Sequence, residues 1–228
     1  MEFLSPPFWV AAFQIIVINI LLSGDNAVVI ALACRNLPPA QRRWGIIWGA
    51  VGAIVLRIIL TFFAVQLLEL PYLKTIGGVL LLWIGVKLIA EDEGDGPEIK
   101  ASDRLFAAVK TVIVADLVMS IDNVLAVAAA AKGSLVLLIF GLVVSIPLVV
   151  IGSQLIMKLV ERMPWLVIAG GGLLGYIAGE IAIEDVTVKP WVTANAPWLH
   201  YGAPIAGIVI VVAVGLWLTR RQRRPAVN

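Results

Sequence analysis

Apolar positions in this chain run in long unbroken stretches and do not alternate with polar ones. Windows at 8–34, 45–68, 72–90, 105–131, 133–157, 165–183 and 201–219 are rich in Leu, Val, Ile, Ala and Gly and are separated by short polar breaks. Each is near the roughly 20 residues a helix needs to cross a bilayer. The pattern predicts an all-α membrane protein with seven transmembrane helices in a single transmembrane domain. Lipid offers the backbone no hydrogen-bond partners, so the alternative is a closed barrel, which would show alternating segments of roughly ten residues.

Composition agrees. Of 228 residues, 61% are hydrophobic and 14% charged, against roughly 25% charged in soluble domains. The mean hydropathy is +1.01. The first window is not expected to be a cleaved signal, because Glu2 stands where a basic region would be and the stretch is long with a polar centre. Cys34 is the single cysteine, which excludes a disulfide framework and cysteine clusters for zinc or iron–sulfur.

Charge sets the orientation. With seven spans, Arg35, Arg42, Arg43, Lys100, Arg104, Lys158, Arg162, Arg220, Arg221, Arg223 and Arg224 share one side, whereas Lys74, Lys132 and Lys189 share the other. Basic residues in short loops stay in the cytoplasm, so the N-terminus is expected outside and the C-terminus inside. The basic tail at 220–228 then reads as a topological anchor, with no nucleic acid implied. The acidic residues around the linker at 93–104 (Glu91 to Asp103) read as a solvated hinge.

The chain also repeats itself. Asn19-Ile20-Leu21-Leu22-Ser23-Gly24-Asp25-Asn26 aligns with Asp116-Leu117-Val118-Met119-Ser120-Ile121-Asp122-Asn123 at an offset of 97. Pro71-Tyr72, Gly77-Gly78 and Glu91-Asp92 align with Pro164-Trp165, Gly170-Gly171 and Glu184-Asp185 at an offset of 93. Repeat 1 is thus 8–92 and repeat 2 is 105–185. An odd number of spans turns the second unit upside down, giving the inverted repeat that lets transporters open a midplane site to either side. The extra helix at 201–219 has no counterpart and is expected at the periphery.

Three aspartates lie deep in these windows. Asp25 is about 17 residues into the first, and Asp116 and Asp122 are about 11 and 17 residues into the fourth. An aspartate at a helix centre costs roughly 2.5–3.5 kcal/mol even on the gentlest scale, so the three imply partners, a water-filled cavity or a bound cation. Asn19, Ser23 and Asn26 form an i, i+4, i+7 stripe that Asp116, Ser120 and Asn123 repeat. Asp122 falls about 120° from Asp116 around an ideal helix, so one ion reaches both only in a broad cavity or where the backbone opens. Gly24 favours such an opening in the first copy, whereas Ile121 takes its place in the second.

The metal-handling set is then Asp25, Asn26, Asp116, Asp122 and Asn123, supported by Asn19, Ser23 and Ser120. These are hard oxygen donors, suited to Mn²⁺, Mg²⁺ or Ca²⁺ over Zn²⁺ or Cu⁺. Met119 beside them reads as packing more than as a soft ligand. Arg57, near the middle of the second window, needs a carboxylate nearby and is the candidate counter-charge. Three carboxylates, one guanidinium and one divalent ion sum to zero, which suggests cation–proton exchange; a pair that merely locks two spans is the alternative. Lys87 and Glu180 occupy equivalent positions near span ends and are candidate gates, with snorkelling as the plainer role. The glycines at 77–78 and 170–172 are expected to let helices approach closely.

Ser-Gly-Asp-Asn-Ala-Val-Val-Ile-Ala (23–31) and Asp-x-x-x-Ser-Ile-Asp-Asn-Val-Leu-Ala (116–126) resemble the two signature segments of the bacterial TerC family. The short seven-span form resembles its YjbE-type branch. The resemblance, over roughly residues 8–219, implies a place in the LysE-like exporter superfamily, a multi-pass protein of the bacterial cytoplasmic (inner) membrane, manganese homeostasis with Mn²⁺ efflux, and an association with tellurite resistance. Asp25, Asp116 and Asp122, with Asn26 and Asn123, would be the ion-handling residues. Asn19 stands where the second repeat has Asp116, so the site is not symmetric.

The leading expectation is a secondary transporter that exports Mn²⁺ or a similar hard divalent cation, the ion being cargo with no cofactor required. A membrane scaffold for metal loading or assembly of exported proteins is the alternative. Expected partners are the divalent ion and membrane lipid, and a homo-oligomer is compatible with the pattern. No nucleophile–base pair, H-E-x-x-H or Walker segment is present, so no enzyme is expected.

Overall fold

A computed structural model describes residues 6–21, 24–90, 101–131 and 134–222. The described residues form ten α-helices and no strand: α1 (Pro6–Leu21), α2 (Gly24–Cys34), α3 (Pro39–Phe62), α4 (Ala64–Leu68), α5 (Leu73–Ala90), α6 (Ala101–Ala130), α7 (Leu135–Arg162), α8 (Trp165–Ile183), α9 (Lys189–Asn195) and α10 (Leu199–Gln222). The acidic linker and the basic tail fall largely outside the described residues.

Five of these helices, α3, α5, α7, α8 and α10, are each long and apolar enough to cross a membrane. A sixth is α6, if its two arms count as one span, for it bends by 70° between Ser102–Ile121 and Asn123–Ala130. In the first sequence window, 8–34, the described residues form α1 and α2, of 16 and 11 residues, and residues 22–23 between them lie outside the described residues. The 45–68 window breaks at Phe63, whose N–H bonds back to Leu60 O at 3.1 Å before α4 begins.

The chain packs as two compact units, residues 1–69 with 101–158 and residues 70–100 with 159–228. In the first unit, Phe8 and Ile15 of α1 pack with Leu137 and Leu142 of α7. Ile30, Ile46, Val112 and Met157 fill a second apolar core among α2, α3, α6 and α7. A Cβ on Gly49 would stand 3.1 Å from Val112 Cγ1, which shows how closely α3 approaches α6. That approach carries the site described below.

The second unit is held by small residues. A Cβ on Gly78 of α5 would fall 2.6 Å from Ala178 O of α8, and one on Gly175 or Gly179 of α8 would collide with the backbone carbonyls of Gly207 or Ala203 on α10. Such backbone-to-backbone approach is the usual means by which helices associate in lipid. The extra helix, α10, lies against both α8 and α5, with Val211 fully buried and Thr219 Oγ1 donating to Ile89 O at 3.4 Å. Only 22% of its apolar window is buried, the least of the five long apolar helices.

Candidate functional site

The site grows from the seam between α3 and α6. Asp116 and Ser120 are one helical turn apart on α6, so their side chains share a face. Arg57, on α3, meets that face. Its Nη2 donates to Asp116 Oδ1 at 2.6 Å and its Nε donates to Ser120 Oγ at 3.0 Å. The Ser120 hydroxyl donates in turn to Asp116 Oδ2 at 3.0 Å. The three side chains close a ring, and all are buried: the Arg57 and Asp116 side chains are 2% and 4% exposed. One turn beyond, Thr61 Oγ1 donates to the Arg57 carbonyl at 2.7 Å.

The first motif copy stands beside this ring at the start of α2. Asp25 lies in the first described turn of α2, and its Oδ1 accepts the Asn26 N–H at 2.8 Å. It is half-buried and within electrostatic range of both Arg57 and Asp116. Asn26 is 5% exposed, and its Oδ1 has no hydrogen-bond donor among the described residues. Buried amide oxygens are rarely left without a partner. No atom lies within 4 Å of where a Gly24 Cβ would stand, so this end of α2 opens onto space.

The second motif copy coincides with an interruption of helix, for the bend of α6 is centred on Asp122. Residues 22–23, on which the expectation drawn from Gly24 falls, lie outside the described residues. The bend corrects the inference from Ile121, since α6 bends there without a glycine. Kinks also arise where side chains or water compete for the backbone ladder, so residue type alone is a poor guide.

Not every expected residue enters the geometry. Ser23, and the side chains of Asn19 and Asp122, lie outside the described residues. Asn123 is half-buried just past the bend, and Met119 is buried in the α6 packing. Among the described residues, no three His, Cys, Asp or Glu side chains form a metal-holding group. A groove of about 490 Å³ between α1 and the last turns of α6 is apolar apart from Gln14, and supplies no hard ligand set. The candidate gates belong to the second unit: Lys87 lies 5.7 Å from the Trp83 ring centroid, and Glu180 is exposed on α8.

One buried carboxylate was named from sequence only as a repeat marker. Asp185 follows α8, and its carboxylate accepts the backbone N–H groups of Tyr72 (3.1 Å), Lys74 (3.1 Å), Thr75 (3.3 Å) and Thr187 (2.9 Å). Burial pushes its carboxyl up, but the four N–H donors together outweigh this and hold it below the ordinary value. The available signal was the start of α5, where Pro71-Tyr72 supplies none of the usual N-cap residues. Tyr72 also takes a left-handed φ of 61° there.

Comparison with known proteins identifies the family. The family model described as "Integral membrane protein TerC family" matches residues 4–223. This chain belongs to the TerC family. The TerC-family chain is 45% identical over 216 residues to the uncharacterized membrane protein YjbE of Bacillus subtilis (strain 168), covering 95% of this chain and 98% of the relative. It is 29% identical over 187 residues to the uncharacterized membrane protein YceF of the same organism, covering 78% and 72%. To the inner membrane protein YgdQ of Escherichia coli (strain K12) it is 26% identical over 178 residues, covering 70% and 74%. No solved structure matches. With its apolar helices, the TerC-family chain is a multi-pass integral membrane protein.

Proposed function

We propose that this TerC-family protein is a secondary transporter of the bacterial inner membrane that exports Mn²⁺ or a similar hard divalent cation, and is not an enzyme. The observation that carries the reading is the buried Arg57–Asp116–Ser120 ring beside Asp25 and an Asn26 Oδ1 with no donor among the described residues, on a helix, α6, that bends at the second motif. Ionisable groups inside a membrane protein mark ion pathways by default. Interrupted helices at midplane are how many transporters free backbone and side-chain oxygens for ions.

On this reading α1 with α2 counts as one span and α6 across its bend as another, which restores seven spans with the N-terminus outside. The compact units favour an inverted repeat: the first draws on the first two windows of each repeat, and the second on the third window of each. Asp25, Asp116 and Asp122, one guanidinium and one divalent ion sum to zero charge, so the empty site would take up protons and exchange them for the ion.

The test is Mn²⁺ counterflow in proteoliposomes containing only the purified protein, with Asp122→Asn expected to abolish it. If the wild-type protein moves no divalent cation, the exporter reading fails.

A further inference from the structure

Both oxygens of the Asp116 carboxylate are taken. Arg57 Nη2 holds Oδ1, the Ser120 hydroxyl holds Oδ2, and Ser120 Oγ itself accepts from Arg57 Nε. The guanidinium therefore sits where a cation bound to Asp116 would sit. The acceptors nearby are less committed: Asn26 Oδ1 has no donor among the described residues, and Asp25 lies within electrostatic range of the same arginine. Guanidinium and a divalent ion repel strongly in a low-dielectric interior, so one carboxylate does not serve both at close range.

Building on the exporter reading, we propose that Arg57 is a tethered competing cation, which holds Asp116 while the site is empty and yields it to the incoming divalent ion. Ser120 fits the exchange. Its single hydroxyl proton is spent on Asp116 and its lone pairs face Arg57, so the departure of the guanidinium frees an oxygen for the ion. Arg57 then does more than join α3 to α6. It supplies positive charge to the empty carrier as it resets, and is dispensable at Asp116 once the ion is bound. A simple lock between two helices would be needed equally in both states.

The experiment compares two modes of radiolabelled Mn²⁺ movement in proteoliposomes of the full chain: exchange with Mn²⁺ on both sides, and net flux down a gradient. In Arg57→Met, net flux is expected to fall about tenfold or more while exchange stays within about threefold, and the detergent-solubilised variant is expected to bind Mn²⁺ about tenfold tighter. Equal loss of both modes in a folded R57M, or Mn²⁺ binding that is unchanged or weaker, overturns the proposal. Arg57→Lys keeps the charge and guards against misfolding. It loses the fork to Ser120 and is expected to keep at least about threefold more net flux than R57M, and a folded R57K that exchanges Mn²⁺ with no more net flux than R57M also overturns it. Wild-type vesicles that move no Mn²⁺ in either mode sink the exporter reading instead, and the binding comparison still decides the role of Arg57.

Discussion

Arg57 Nη2 lies 2.6 Å from Asp116 Oδ1, and both side chains are buried within the first unit. Removing one partner of such a pair strands the other charge. Asp116→Asn is expected to destabilise the protein by about 3–5 kcal/mol, and the double variant Arg57→Met/Asp116→Asn to recover most of that loss. Thermal unfolding in detergent measures both, and a double variant no more stable than D116N would show that the pair is not the source of the effect.

The Asp185 carboxylate caps the start of α5 through the N–H groups of Tyr72, Lys74 and Thr75. Asp185→Ala leaves those donors unpaired and should cost about 1–3 kcal/mol, with Asp185→Asn costing less. Because the folded protein holds this carboxyl below its ordinary value of 3.8, its ionised form stabilises the fold. That contribution is complete above pH 3.8 and is lost as pH falls below it, through the folded value. The wild type should therefore lose its margin over D185A in acid melts, and a margin that is constant with pH would refute the assignment.

Glycines at the two sites should respond oppositely. A Cβ on Gly175 would strike the Gly207 carbonyl, whereas one on Gly24 meets nothing within 4 Å. Gly175→Val is expected to force α8 from α10 and cost about 1–3 kcal/mol. Gly24→Ala should leave stability within about 1 kcal/mol, in the stabilising direction if anything. Melting curves of the two variants side by side test the contrast.

An oxygen-donor site selects hard ions. In wild-type proteoliposomes, unlabelled Mn²⁺ and Mg²⁺ are expected to compete with labelled Mn²⁺ more effectively than Zn²⁺ or Cu⁺ at equal free concentration. Stronger competition by Cu⁺ would point to a sulfur ligand such as Met119.

Much of this organisation is legible in the residues. The windows at 45–68, 72–90, 133–157, 165–183 and 201–219 each hold a long apolar helix, because lipid leaves the backbone no other local solution. The i, i+4 placement of Asp116 and Ser120 puts both on one face from helix geometry alone. Arg57 was bound to seek a carboxylate, since an unpaired guanidinium there is too costly.

Which carboxylate it finds is another matter. Asp25, Asp116 and Asp122 are equally acidic in the sequence, and only the close approach of α3 to α6 at Gly49 and Val112 brings Asp116 to Arg57. The same holds for the bend at Asp122, for the seating of α10 against α8, and for Asp185 capping a helix 110 residues away. The sequence by itself determined that this chain crosses a membrane in helices and carries charge inside them, because burial energy and backbone hydrogen bonding act on each segment separately. Only the tertiary structure decided the partners, because an ion pair or a cap depends on distances of a few ångströms between residues far apart in the chain, which no local pattern encodes.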